Sequence, residues 1–166
     1  MSGGIVDSTP LRLAYADLLE AAGSVAETGA TAPPPGEWNA HQLLAHLVAV
    51  DAGVLAAAWS VAAGMPATFD NRSSLDVSTL TRIAERVGDL TRLTGRVLAQ
   101  GTALCSLTEQ LTDSELDARV VTVLVSGRTL VVDEPLPLRD LVGGLAADHL
   151  PRHRQQLLAL LPPDGG

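Results

Sequence analysis

The sequence predicts an all-α fold, a bundle of four helices with a small β-hairpin inserted before the last one. Three observations carry that expectation. Apolar residues recur at separations of three and four along four long stretches, the spacing that puts them on one face of a helix. Aromatic residues make up only 2% of a chain that is 46% hydrophobic, so Ala, Val and Leu must fill the core, which suits closely approaching helices. Between Arg119 and Val132 the composition shifts to Val and Thr around Ser126-Gly127-Arg128, a change of period that marks two short strands and a turn. With 166 residues the chain fits one domain, taken as residues 1–166.

The first helix is expected over about 8–28, where Leu11, Ala14, Leu18, Ala21, Ala22 and Val25 form the stripe. Pro33, Pro34 and Pro35 cannot continue it and form a stiff connector. Asn39 followed by Gln42 has the form of a capping box, starting a second helix over about 39–64. Met65 to Ser74, punctuated by Pro66, Asp70-Asn71 and Ser73-Ser74, is expected to be a loop. A third apolar stripe runs over about 77–111, with Gly88, Gly95 and Gly101 weakening that helix without ending it. Thr112 to Leu116 offers a cap, and the hairpin follows over about 119–133, closed by Pro135 and Pro137. Leu138, Leu141, Val142, Leu145, His149, His153, Leu157 and Leu160 restore helical spacing over about 138–161.

Charge and composition exclude several function classes. The formal net charge is −8 and the basic residues are all arginines, so the field repels phosphate backbones and anionic lipid, and neither nucleic acid nor a membrane is an expected partner. The uncharged stretch Ala52–Phe69 is interrupted by Gly53, Gly64 and Pro66 and bracketed by Asp51 and Asp70, as suits a buried helix and a loop rather than a span. The N-terminal MSGGIVDSTP has no basic and apolar leader, and the lone Cys105 cannot form an internal disulfide, which points to the cytoplasm. Flanked by Leu104 and Leu107, that thiol is expected to be inert core.

Three of the four histidines fall at inward positions: His46 on the second helix, and His149 and His153 on the last. A separation of four sets His149 and His153 one turn apart on one face, and His46 can meet them from a facing helix. Three neutral imidazoles on one divalent ion leave a coordination position open. The competing reading makes them ordinary core histidines bonded to carbonyls or carboxylates. Pro151, between the pair, is expected to kink the helix, either re-aiming the rings or separating them. His41 is read as a surface or helix-start residue. Asp51 and Asp148 are acidic neighbours able to orient a ligand, though solvated positions are expected for both.

Two stretches resemble a known family, the DinB-like four-helix bundle metalloproteins, which include thiol-dependent S-transferases and mycothiol-dependent maleylpyruvate isomerases. One is Glu37-Trp38-Asn39 with Leu43-Leu44-Ala45-His46-Leu47; the other is LPLRDLVGGLAADHLPRHRQQL, from Leu136 to Leu157, with its pair of histidines followed by Arg154 and Gln156. The resemblance implies an up-down-type bundle holding a divalent metal, zinc or nickel, on His46, His149 and His153. It also implies Arg154 and Gln156 as cofactor-binding residues and a low-molecular-weight thiol such as mycothiol, activated against an electrophile. The lysine-free, arginine- and alanine-rich composition is consistent with mycothiol as the thiol. No catalytic residue beyond the ligands is assigned. A non-catalytic metal- or small-ligand-binding bundle protein, serving as a stress-response accessory, and a hydrolase using Asp51 or Asp148 as base are the alternatives, and a homodimer through an apolar helix face is expected.

Overall fold

A computed structural model describes residues 7–164. It is mostly helical, with a small three-stranded sheet. Helix α1 spans Thr9–Thr28, and Leu11, Tyr15, Leu18, Ala21, Ala22 and Val25 are its buried face. Helix α2, Ala40–Ala62, is the central element. Asn39 accepts from the Gln42 amide at 2.9 Å while Gln42 accepts from the Asn39 amide at 3.1 Å, so the capping box fixes where α2 begins. By length and composition α2 could cross a membrane, but Leu43, Leu44, Ala45 and Leu47 are buried in the core, as in the central helix of a packed domain.

Met65 to Ser74 is not the loop its punctuation suggests. Ala67–Asp70 forms strand β1, followed by a 3₁₀ turn over Arg72–Leu75. The strand is only four residues long, with alternating burial, and its pairing lies far away in sequence, so local pattern could not reveal it. Gly53 on α2 makes room for it: a Cβ there would come within 2.9 Å of the Phe69 ring.

The third helical stretch is two helices, α3 (Val77–Val87) and α4 (Leu90–Gln110). Gly88 does end the first, contrary to the expectation of one helix over 77–111. Its φ of 120° is open to glycine and unfavourable for other residues, and Asp89 then caps α4 by accepting from the Arg92 amide at 2.9 Å. Short helix α5, Asp113–Leu116, starts at the Thr112 cap.

Strands β2 (Arg119–Ser126) and β3 (Thr129–Pro137) form the expected hairpin, but β1 joins it in parallel beside β2, giving the order β1-β2-β3. Pro135 and Pro137 lie within β3 instead of terminating it. They stand opposite Val121 and Arg119, two residues apart, so both missing donors face the same side of an edge strand, away from β2.

The last helical stretch comprises α6 (Leu138–Gly144), a wide π turn over Leu145–His149, and α7 (Leu150–Ala159). The amide of Leu150 bonds to the carbonyl of Leu145, five residues back. Pro151 therefore follows a locally widened turn that relieves its clash with the preceding turn, and the chain stays helical through it. Helix α4 packs on α1 and α2, α7 packs on α1, and the sheet sits beside α2.

Candidate metal centre

His46 is buried on α2 and held by a chain of contacts that starts in the sheet. Asn71, after β1, pairs its amide side chain with the backbone of Val125 on β2, at 2.9 and 2.8 Å. This docks the 3₁₀ turn, whose Ser74 carbonyl accepts from His46 Nδ1 at 2.7 Å. With Nδ1 protonated and engaged, Nε2 is the atom left to bind. His153 is set the same way: its Nδ1 donates to the Gln156 side-chain oxygen at 2.6 Å. His149 Nε2 is buried with no hydrogen-bond partner among the described residues.

These three residues each offer a nitrogen, and the three ligand atoms lie within 4.8 Å of one another. Ring centroids are 4.5 Å apart for His149 and His153, 4.7 Å for His46 and His153, and 5.3 Å for His46 and His149. The wide turn before Pro151 thus leaves the pair on one face. Trp38 covers the cluster, with its ring 4.7 Å from that of His46 and 6.5 Å from that of His153.

All three imidazoles are held neutral at neutral pH. Burial pushes His46 down to about 4, with further lowering from His153, while its bond to Ser74 opposes the shift. Burial lowers His149 well below the ordinary range, reinforced by His153, His46 and Arg152. Burial also lowers His153, partly offset by Gln156. Three desolvated, uncharged imidazoles, one with a buried nitrogen that has no partner among the described residues, could hold a metal ion.

A model of the DinB superfamily matches residues 11–157. The chain belongs to that superfamily. No curated protein and no solved structure matches it significantly. In this DinB-superfamily protein the matched region contains the three histidines, Trp38, Arg154 and Gln156.

The other candidates lie elsewhere. Asp51 is fully buried rather than solvated. Its Oδ1 accepts from the Tyr15 hydroxyl at 2.7 Å and its Oδ2 has no partner among the described residues, so it faces α1 and not the histidines. Burial pushes its carboxyl up to about 7, against the lowering effect of the Tyr15 bond. The sequence could not disclose this, because the partner comes from another helix. Asp148 is exposed, as expected, and pairs with Arg152 one turn on. His41 is exposed, and Cys105 is buried with its thiol pushed up by burial. Arg154 is half-buried, with its Nε enclosed and without a partner among the described residues, and Gln156 is exposed at the end of its bond to His153. Nothing in the sequence singles out Ser74. It acts through its backbone carbonyl, for which no side-chain signal exists.

Proposed function

We propose that this protein is a cytoplasmic, divalent-metal-dependent enzyme that uses a low-molecular-weight thiol, such as mycothiol, as nucleophile in S-transfer or isomerisation. The observation that carries this reading is the convergence of three neutral imidazole nitrogens, two of them fixed through their opposite ring nitrogen. His46, His149 and His153 would hold the cation, zinc or nickel, and three ligands from the chain leave a position free for a substrate atom. When bound, such a cation supplies the Lewis acidity that keeps a thiol deprotonated near neutral pH.

The chain's own residues prepare the site. Ser74 and Gln156 fix the imidazole tautomers, and Trp38 shields the rings from water. Arg154, next to His153 and carrying an unused Nε donor, is proposed to bind an anionic or carbonyl group of the thiol. Gln156 is proposed to contribute mainly by orienting His153, with its amide nitrogen available to the same thiol.

Elemental analysis of purified protein tests the first half. A stoichiometric divalent ion that survives dialysis and vanishes in the triple His46→Ala, His149→Ala, His153→Ala variant is expected; no uptake under any loading condition refutes it. Thiol consumption with a generic electrophile tests the second half, using mycothiol, bacillithiol and glutathione in turn. Rates at background with all three would leave a metal- or small-ligand-binding protein. A hydrolase is disfavoured because Asp51 and Asp148 are engaged by Tyr15 and Arg152 and neither belongs to the histidine group.

A further inference from the structure

A cavity of about 240 Å³ lies between α2, the sheet and the helix that carries the histidine pair, and His149 belongs to its wall. Val50 and Val54 of α2, Phe69 of β1, Leu124 of β2, and Leu141 and Leu145 of the last helical stretch make its interior apolar. We propose that this cavity binds an uncharged, apolar small molecule about the size of one substituted aromatic ring, next to the histidine cluster, and discriminates against carboxylates. Its role as the seat of the electrophile rests on the function proposed above; the binding itself does not.

Size follows from volume. An apolar cavity of roughly 150 Å³ accommodates benzene, so this one has room for roughly ten non-hydrogen atoms. Charge selectivity follows from what stands around the lining. The charged residues there are Asp140, Asp148 and Arg152, two carboxylates against one guanidinium. Arg152 is already bonded to Asp148, its neighbour one helical turn back. Asn71, also in the wall, has both ends of its amide engaged by Val125. In the metal-free protein an entering carboxylate would be desolvated against apolar walls, would face Asp140, and would have to displace Asp148 to reach the Arg152 guanidinium. A ketone or similar neutral group is desolvated at much lower cost and is not repelled by Asp140.

The test uses acetophenone and benzoate, which match in size and differ in charge, titrated into the full-length protein freed of metal by chelation and followed by methyl NMR and calorimetry. Acetophenone is expected to shift the methyl signals of Val54, Leu124 and Leu145, and benzoate to bind at least about tenfold more weakly. Gly144 lines the cavity and a Cβ there would meet nothing within 4 Å, so Gly144→Leu should abolish acetophenone binding while leaving the circular dichroism native. Should that variant not fold, Val131→Trp, at an exposed position of the same wall, serves the same purpose. Asp148→Asn, which frees Arg152, should narrow the preference for the neutral ligand.

Benzoate binding as tightly as acetophenone, or acetophenone failing to bind up to its solubility limit, overturns the proposal. So does unchanged affinity in a folded Gly144→Leu or Val131→Trp variant. A parallel Co²⁺ titration separates this from the metal reading. Acetophenone binding without Co²⁺ uptake supports the cavity and refutes the histidine site, whereas Co²⁺ uptake without acetophenone binding refutes the cavity alone.

Discussion

The side-chain oxygen of Gln156 lies 2.6 Å from Nδ1 of His153, one turn further along the same helix. That bond decides which nitrogen of His153 faces the cluster, and it does so from an exposed residue whose loss leaves the core untouched. Gln156→Ala is therefore expected to lower divalent-metal affinity about 10- to 100-fold, with a thermal midpoint of the metal-free protein close to that of the parent. Competition against a chromophoric chelator measures the first quantity and calorimetry the second. An unchanged affinity would show that His153 is oriented by packing alone.

The buried histidines make metal uptake nearly proton-neutral. Imidazoles already uncharged at pH 7 have no proton to give up, unlike a site built from thiols. Isothermal titrations in buffers of differing ionisation enthalpy should give close to zero protons released from the ligands at pH 7.

The same shift makes the metal-free fold acid-sensitive. His46 ordinarily titrates near 6.5 and in the fold is held down to about 4, so in that interval the unfolded chain binds the proton that the folded one refuses. Its contribution to stability is full above about pH 6.5 and is lost progressively as the pH falls toward 4. His46→Gln should flatten that limb of a plot of denaturation midpoint against pH.

Asp51 acts in the opposite sense. Its folded carboxyl titrates near 7 against an ordinary 3.8, so the folded state holds a proton that the unfolded chain has released. Stability from this group falls as the pH rises from about 4 to 7, by on the order of 4 kcal/mol, and is level above that. Asp51→Asn should remove the dependence. Tyr15→Phe, which deprives Asp51 of its one hydrogen bond, should destabilise by about 1–3 kcal/mol at pH 8 and by less at pH 5.

Gly101 supplies a packing test of the same region. A Cβ there would fall 2.7 Å from the Tyr15 ring, so Gly101→Ala should cost about 1–3 kcal/mol in chemical denaturation through displacement of that ring. Gly95, on the same helix, has open space at the equivalent point, and its alanine variant should be neutral or stabilising.

What the sequence disclosed follows from the range of each interaction. The stripe of α1, the Asn39–Gln42 box and the four-residue spacing of His149 and His153 are local and were readable. The break at Gly88 was locally written too, as a glycine followed by a capping aspartate, but the continuing apolar stripe masked it. Strand β1 depends on β2, some fifty positions later, and the buried Tyr15–Asp51 bond joins two helices; no window along the chain contains both partners. Ser74 is the limiting case, since its contribution to His46 comes from a backbone atom common to every residue type.

The wide turn at Leu145–His149 holds one more residue than a regular turn of helix needs. Deleting a single residue from that segment would restore ideal pitch, yet it would rotate everything downstream by about 100° against the buried leucines upstream. Such a shortened chain gains a more regular backbone and takes His149 and His153 out of phase with His46. Helical regularity and ligand convergence are in conflict at this point, and the fold keeps the convergence.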